Sequence, residues 1–163
     1  MTKLLSTEQM AEFANSGCLF FEGLIDEDIN KEFLNDIGHT DIDDVDNIQH
    51  YFQNIKSSSS IPRIPAGTAL KDAYPLNSPL EKIFKNEIVS GAINSLVGSK
   101  TVVDHQFLHL TFPSKYYEKT NQRQMSQVNH QDSTIDPRTT FDIQLFYFPT
   151  AVTKDMGGTR YHP

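Results

Sequence analysis

Beyond Gly98 the apolar residues of this chain change their period, and that change restricts the fold more than any other feature. Upstream, apolar side chains recur at helical spacing: Met10, Phe13 and Ala14; then Ile29, Phe33, Leu34 and Ile37; then Leu80, Ile83, Phe84 and Ile88. Three and four residues apart places such side chains on one helix face. Downstream, Thr101–Phe112 and Phe141–Phe148 are rich in β-branched and aromatic residues and alternate, which predicts strands. In the first, Val103, His105, Phe107 and His109 share one face, with Asp104, Gln106, Leu108 and Leu110 on the other. In the second, Ile143, Leu145 and Tyr147 oppose Asp142, Gln144, Phe146 and Phe148. Two largely apolar faces suit an inner strand of a sandwich or barrel. Helices first and antiparallel strands afterwards predict an α+β fold with a β-sandwich core.

The remaining punctuation fits that order. Ser6 and Gln9 stand in capping-box positions for the first helix, and Gly17 is placed to stop it. Cys18–Phe21 is an apolar run of strand length leading to Gly23, and Asp26 can cap a second helix. Pro79–Val97 is expected to be helical, a short strand is expected over Gln127–Asp132, and Asp136-Pro137 marks a turn. The aspartates at 41, 43, 44 and 46 lack the alternation and glycine of a calcium loop, so they are expected to form a solvated loop. Ser57–Ser60, Pro62, Pro65 and Gly67 form a long surface connection.

Length and charge narrow the function. At 163 residues a single domain, 1–163, is expected: a mainly helical lead-in with a long loop over 1–100, then strands over 101–163. With 14 basic against 21 acidic side chains the net charge is -7, so there is no basic face for nucleic acid. No apolar stretch spans a bilayer and no signal-peptide core follows Met1, which predicts a cytoplasmic protein. The one cysteine, Cys18, is expected to be a buried, inert thiol.

Chemistry concentrates at His130-Gln131-Asp132. On an extended backbone, residues two apart project to the same side, so imidazole and carboxylate can occupy neighbouring corners of one metal. A distant second histidine would complete the facial triad of non-haem iron(II) oxygenases, leaving the opposite face open to 2-oxoglutarate and dioxygen. Alone the triplet is weak, because composition makes one His-x-Asp roughly an even chance. Its bland alternative is a surface histidine beside an aspartate.

Four segments in order give that triplet a context. Leu5–Gln9 through Phe13 to Gly17, with Gly23-Leu24-Ile25, form an opening of helix, glycine, strand and helix. Val103–Phe112 precedes the triplet; Asn129–Asp132 carries it; Phe141–Phe148 and Gly157–Pro163 supply a next strand, a glycine turn and a return strand. Together they resemble the phytanoyl-CoA dioxygenase-like family, over most of the chain and least from His39 to Tyr74. The resemblance implies a double-stranded β-helix, a cupin-like jelly roll, holding iron(II) through His130 and Asp132. It implies an Fe(II)/2-oxoglutarate-dependent dioxygenase that hydroxylates a small organic molecule, an aspartate at the carboxylate position favouring hydroxylation over halogenation. It also places Gln144 and Phe146, and Leu108 from the earlier strand, near the 2-oxoglutarate.

In the family a second iron histidine, and later a basic residue pairing with 2-oxoglutarate, follow the proline matched by Pro163. Neither lies in these residues, so the resemblance implies a jelly roll truncated to about its first half. His162 is expected to neighbour the site rather than bind metal, and His105 and His109 lie too far apart along a strand to share one. Ordinary packing is the alternative for Phe146 and Leu108. For the whole chain the alternatives are a non-catalytic cupin-like binding module and an inactive truncated product.

Overall fold

The computed structural model describes residues 2–39, 48–56, 61–111, 118, 142–153, 156, 158–159 and 161. The acidic loop around residues 41–46, the serine run 57–60, the expected strand Gln127–Asp132 and the turn at Asp136-Pro137 lie outside these residues. Among the described residues the order is α1 (Thr7–Ser16), α2 (Glu27–Asp36), α3 (Ile48–Lys56), β1 (Thr68–Ala69), α4 (Pro79–Lys85), α5 (Glu87–Val97) and β2 (Val102–Val103). A 3-10 turn, Leu70–Asp72, follows β1.

The first helix is bounded as its sequence predicts. The Ser6 hydroxyl accepts from the Gln9 N–H at 3.2 Å, and the Gln9 side-chain oxygen Oε1 accepts from the Ser6 N–H at 3.0 Å. Gly17 then ends the helix at φ 76°, its N–H bonded to the Phe13 carbonyl. Left-handed backbone of this kind favours a residue without Cβ. Asp26 holds the N-cap position of α2, but its side chain makes no capping hydrogen bond.

The expected single helix over Pro79–Val97 is two helices broken at Asn86, which ends α4 and caps α5. The Asn86 side-chain oxygen accepts from the N–H groups of Ile88 and Val89 at 2.9 and 3.3 Å. At the other end of α4, Ser78 caps through the Glu81 N–H, while the Glu81 carboxylate accepts from the Asn77 N–H at 2.9 Å. That bond holds Asn77 at φ 64°, a left-handed position asparagine tolerates. Lys85 beside it, followed by the Asn77 N–H, holds the Glu81 carboxyl below its ordinary range.

The core lies between helices. α2 packs on α4, and α4 on α5. Phe33 and Ile37 of α2 and the stop after it, Ile83 of α4, and Val89 and Ile93 of α5 are buried, with Tyr51 and Ile55 of α3. Such side chains bury roughly 1.5–3 kcal/mol each of transfer free energy. Along α5, Glu87, Gly91 and Ser95 form a stripe one turn apart, and the segment before α1 runs along it. The Lys3 N–H donates to the Glu87 carbonyl at 3.0 Å, and the Leu5 N–H to the Ser95 hydroxyl at 3.0 Å.

The sheet among the described residues is one short antiparallel ladder, with Thr68 opposite Val103 and Ala69 opposite Val102. The expected strand Thr101–Phe112 is therefore a strand only at Val102–Val103, and continues as extended chain to residue 111. Its alternation holds from His105 to Leu110, where Gln106, Leu108 and Leu110 are half-buried and His105, Phe107 and His109 exposed, but not before, since Val103 is buried and Asp104 exposed. Residues 142–148 carry no strand pairing among the described residues; Ile143 and Tyr147 are half-buried and Gln144, Phe146 and Phe148 exposed, but Leu145, on the Tyr147 face, is 44% exposed as well. Cys18–Phe21 is not a strand either. It does not enter a ladder, Phe20 is 70% exposed, and the expectation of a buried thiol is corrected: Cys18 is half-buried.

Candidate functional site

His130, Asp132 and His162 lie outside the described residues; Leu108, Gln144 and Phe146 lie within them. The segment carrying Gln144 and Phe146 is anchored from its opposite face. Tyr147 donates its hydroxyl to the Asn30 side-chain oxygen of α2 at 2.6 Å and meets the Phe33 ring edge-on, centroids 5.3 Å apart. Burial pushes its phenol up to about 12. Because side chains alternate along extended chain, fixing Tyr147 against α2 turns Gln144, Phe146 and Phe148 the other way. The Phe146 and Phe148 rings stack there, 6.5 Å apart, with Phe146 53% exposed.

The 104–111 segment is anchored in the same manner. The Gln106 amide donates to the Pro62 carbonyl, and its oxygen accepts from the Tyr74 hydroxyl at 2.8 Å. Tyr74 stacks on Phe84 of α4 at 4.9 Å, and burial raises its phenol above the ordinary range. Leu108 shares this covered face. The exposed face carries His105 stacked on Phe107 at 5.7 Å, and His109 edge-on to Phe107 at 5.0 Å. His105 also pairs with Asp104 at 2.8 Å, both well exposed. Leu108 thus lies on a covered face, and Gln144 and Phe146 on an uncovered one.

Two contacts lay beyond sequence reading. His39 meets the Tyr51 hydroxyl through Nδ1 at 2.8 Å, tying the end of α2 to α3. The α3 signal was present as Tyr51, Phe52 and Ile55, three and four apart, within a region otherwise read as irregular. Tyr161 packs on Phe20 at 5.7 Å, and a hydrogen bond with the Cys18 thiol raises its phenol.

Among the described residues no three of His, Cys, Asp and Glu converge where a metal ion could sit. The donor pair of the triplet, an imidazole nitrogen and a carboxylate oxygen, suits iron(II) in kind. No helix among the described residues is long and apolar enough to cross a membrane. No protein-family model, curated protein or solved structure matches the chain.

Proposed function

We propose that this chain is part of a cytoplasmic non-haem iron(II), 2-oxoglutarate-dependent oxygenase resembling phytanoyl-CoA dioxygenase, built on a jelly roll and acting with dioxygen on a small organic substrate. One observation carries the reading: His130-x-Asp132 stands between two segments that alternate as barrel strands do. In support, Gln106, Leu108 and Leu110 are half-buried while His105, Phe107 and His109 are exposed, and Tyr147 packs on α2 while Phe146 and Phe148 are exposed. A barrel with its helices outside needs that arrangement.

His130 and Asp132 would hold the metal, one neutral nitrogen and one anionic oxygen on the same side of a strand. Bound iron(II) would supply the oxidative chemistry, coupling decarboxylation of 2-oxoglutarate to hydroxylation of the substrate. The Gln144 amide can hydrogen-bond a carboxylate of 2-oxoglutarate, and the Phe146 ring excludes water beside it. Leu108, half-buried on its segment, is the weaker candidate for that surface.

The test is an anaerobic titration of iron(II) and 2-oxoglutarate into the full polypeptide that carries these residues, following the absorbance of their complex. The complex should form, and His130→Ala and Asp132→Ala should each abolish it. Unchanged complex in both variants overturns the assignment. Succinate release on admitting dioxygen separates an oxygenase from a cupin-like binding module.

A further inference from the structure

We propose that Thr2–Ser16 is a detachable arm latched to the body through the backbone of Gly91. This inference stands apart from the oxygenase reading. Helix α1 buries none of its residues, and it packs extensively on no other helix or strand among the described residues. Its capping box, Gly17 stop and internal ladder are all local, so they bound the helix without attaching it. Attachment falls to the segment just before it.

That segment lies on α5 closely enough to demand glycine. A Cβ on Gly91 would stand 1.7 Å from the Lys3 carbonyl oxygen and 3.1 Å from the Leu4 nitrogen. Both atoms are backbone, so neither can swing aside as a side chain would. One turn earlier the Glu87 carbonyl takes the Lys3 N–H. One turn later the Ser95 hydroxyl takes the Leu5 N–H. Three residues of extended chain are thereby read by three residues of helix, and the middle contact tolerates no side chain. Gly91 itself is buried and has an ordinary helical backbone, so its φ does not require glycine. The docked segment does.

A unit held by few contacts opens on its own, ahead of global unfolding. Opening here would uncover the α5 stripe and release α1, which at 10 residues is a marginal helix on its own and exchanges faster once detached. Gly91→Ala separates the latch from stability in general. Alanine favours a helix interior over glycine, so α5 should hold or gain protection while the arm is lost.

The measurement is amide hydrogen exchange, residue by residue, on the full polypeptide. In Gly91→Ala, exchange at Met10 to Gly17 should quicken about 10-fold or more, with α2, α4 and α5 unchanged or slower; losing contacts worth one or two kcal/mol corresponds to a factor of roughly 5–30. Ser95→Ala, which adds no clash and removes only the Leu5 acceptor, should shift the same amides by a smaller factor. Unaltered α1 exchange in both variants overturns the latch. So does loss of protection in α1 and the core together in Ser95→Ala, because the arm would then be part of one cooperative unit. Should Gly91→Ala fail to fold, Ser95→Ala decides alone.

Discussion

Replacing Tyr147 by phenylalanine removes one atom from the joint between the 142–148 segment and α2. The hydroxyl donates to Asn30 at 2.6 Å, and its loss leaves that oxygen half-buried without its phenol. A neutral hydrogen bond is worth about 0.5–1.5 kcal/mol net, so Tyr147→Phe should cost about 1 kcal/mol. For a domain of this size that lowers Tm by about 2–4 °C. The ring against Phe33 stays, so Tyr147→Ala should cost more, about 2–3 kcal/mol, short of a fully buried aromatic. The pH dependence is the sharper check. A phenol whose folded pKa is raised to about 12 from an ordinary 10 favours folding while it stays protonated. That contribution is complete below about pH 10 and is lost as pH rises through about 12, up to about 3 kcal/mol in all. Denaturant midpoints of wild type and Tyr147→Phe should therefore differ at about pH 8, then converge and cross above about pH 10. The other raised phenols, Tyr51, Tyr74 and Tyr161, are common to both proteins and cancel in the difference. A gap absent at about pH 8, or constant to about pH 11, would refute the anchoring of this segment through Tyr147.

Three further expectations concern single groups. His130→Ala should lose iron(II) binding in the full polypeptide while His105→Ala and His109→Ala keep it. If His162→Ala loses the metal as completely in the same absorbance titration, His162 is itself a ligand. Ser6→Ala breaks the capping box and should cost about 1 kcal/mol, read as faster amide exchange confined to α1. Glu32→Gln removes the half-exposed ion pair with Lys82 and should move Tm by less than about 3 °C, the shift shrinking further in high salt.

What could be read from sequence was whatever is decided within a few residues. Ser6, Gln9 and Gly17 bound α1 because a capping box and a left-handed stop are local devices. The alternation over 105–110 was equally readable, since period two belongs to extended chain whether or not a neighbour pairs with it. The break at Asn86 was not, because Leu80, Ile83, Phe84 and Ile88 keep helical spacing across it; only the Asn86 side chain, turned to cap Ile88 and Val89, marks it. Cys18–Phe21 misled for the converse reason. An apolar run states a preference for burial, and burial depends on partners from elsewhere in the chain. For the candidate site, sequence assigned Gln144, Phe146 and Leu108 to pocket positions without saying which face the helices would take. Tyr147 on α2, and Gln106 on Tyr74, decide that.

Gln106 has one more consequence. Its amide must give a proton at one end and receive one at the other, and Pro62 and the Tyr74 hydroxyl offer those two complements. Sliding the extended segment by one residue would present His105 or Phe107 to the same two groups. Phenylalanine can do neither, and a neutral imidazole, with its two nitrogens in a five-membered ring, spans a different distance. A slip by two would bring Asp104, which when ionised only accepts, or Leu108, which does neither. One carboxamide therefore acts as a keyed tooth, setting the register of a segment whose pairing at β2 is only two residues long.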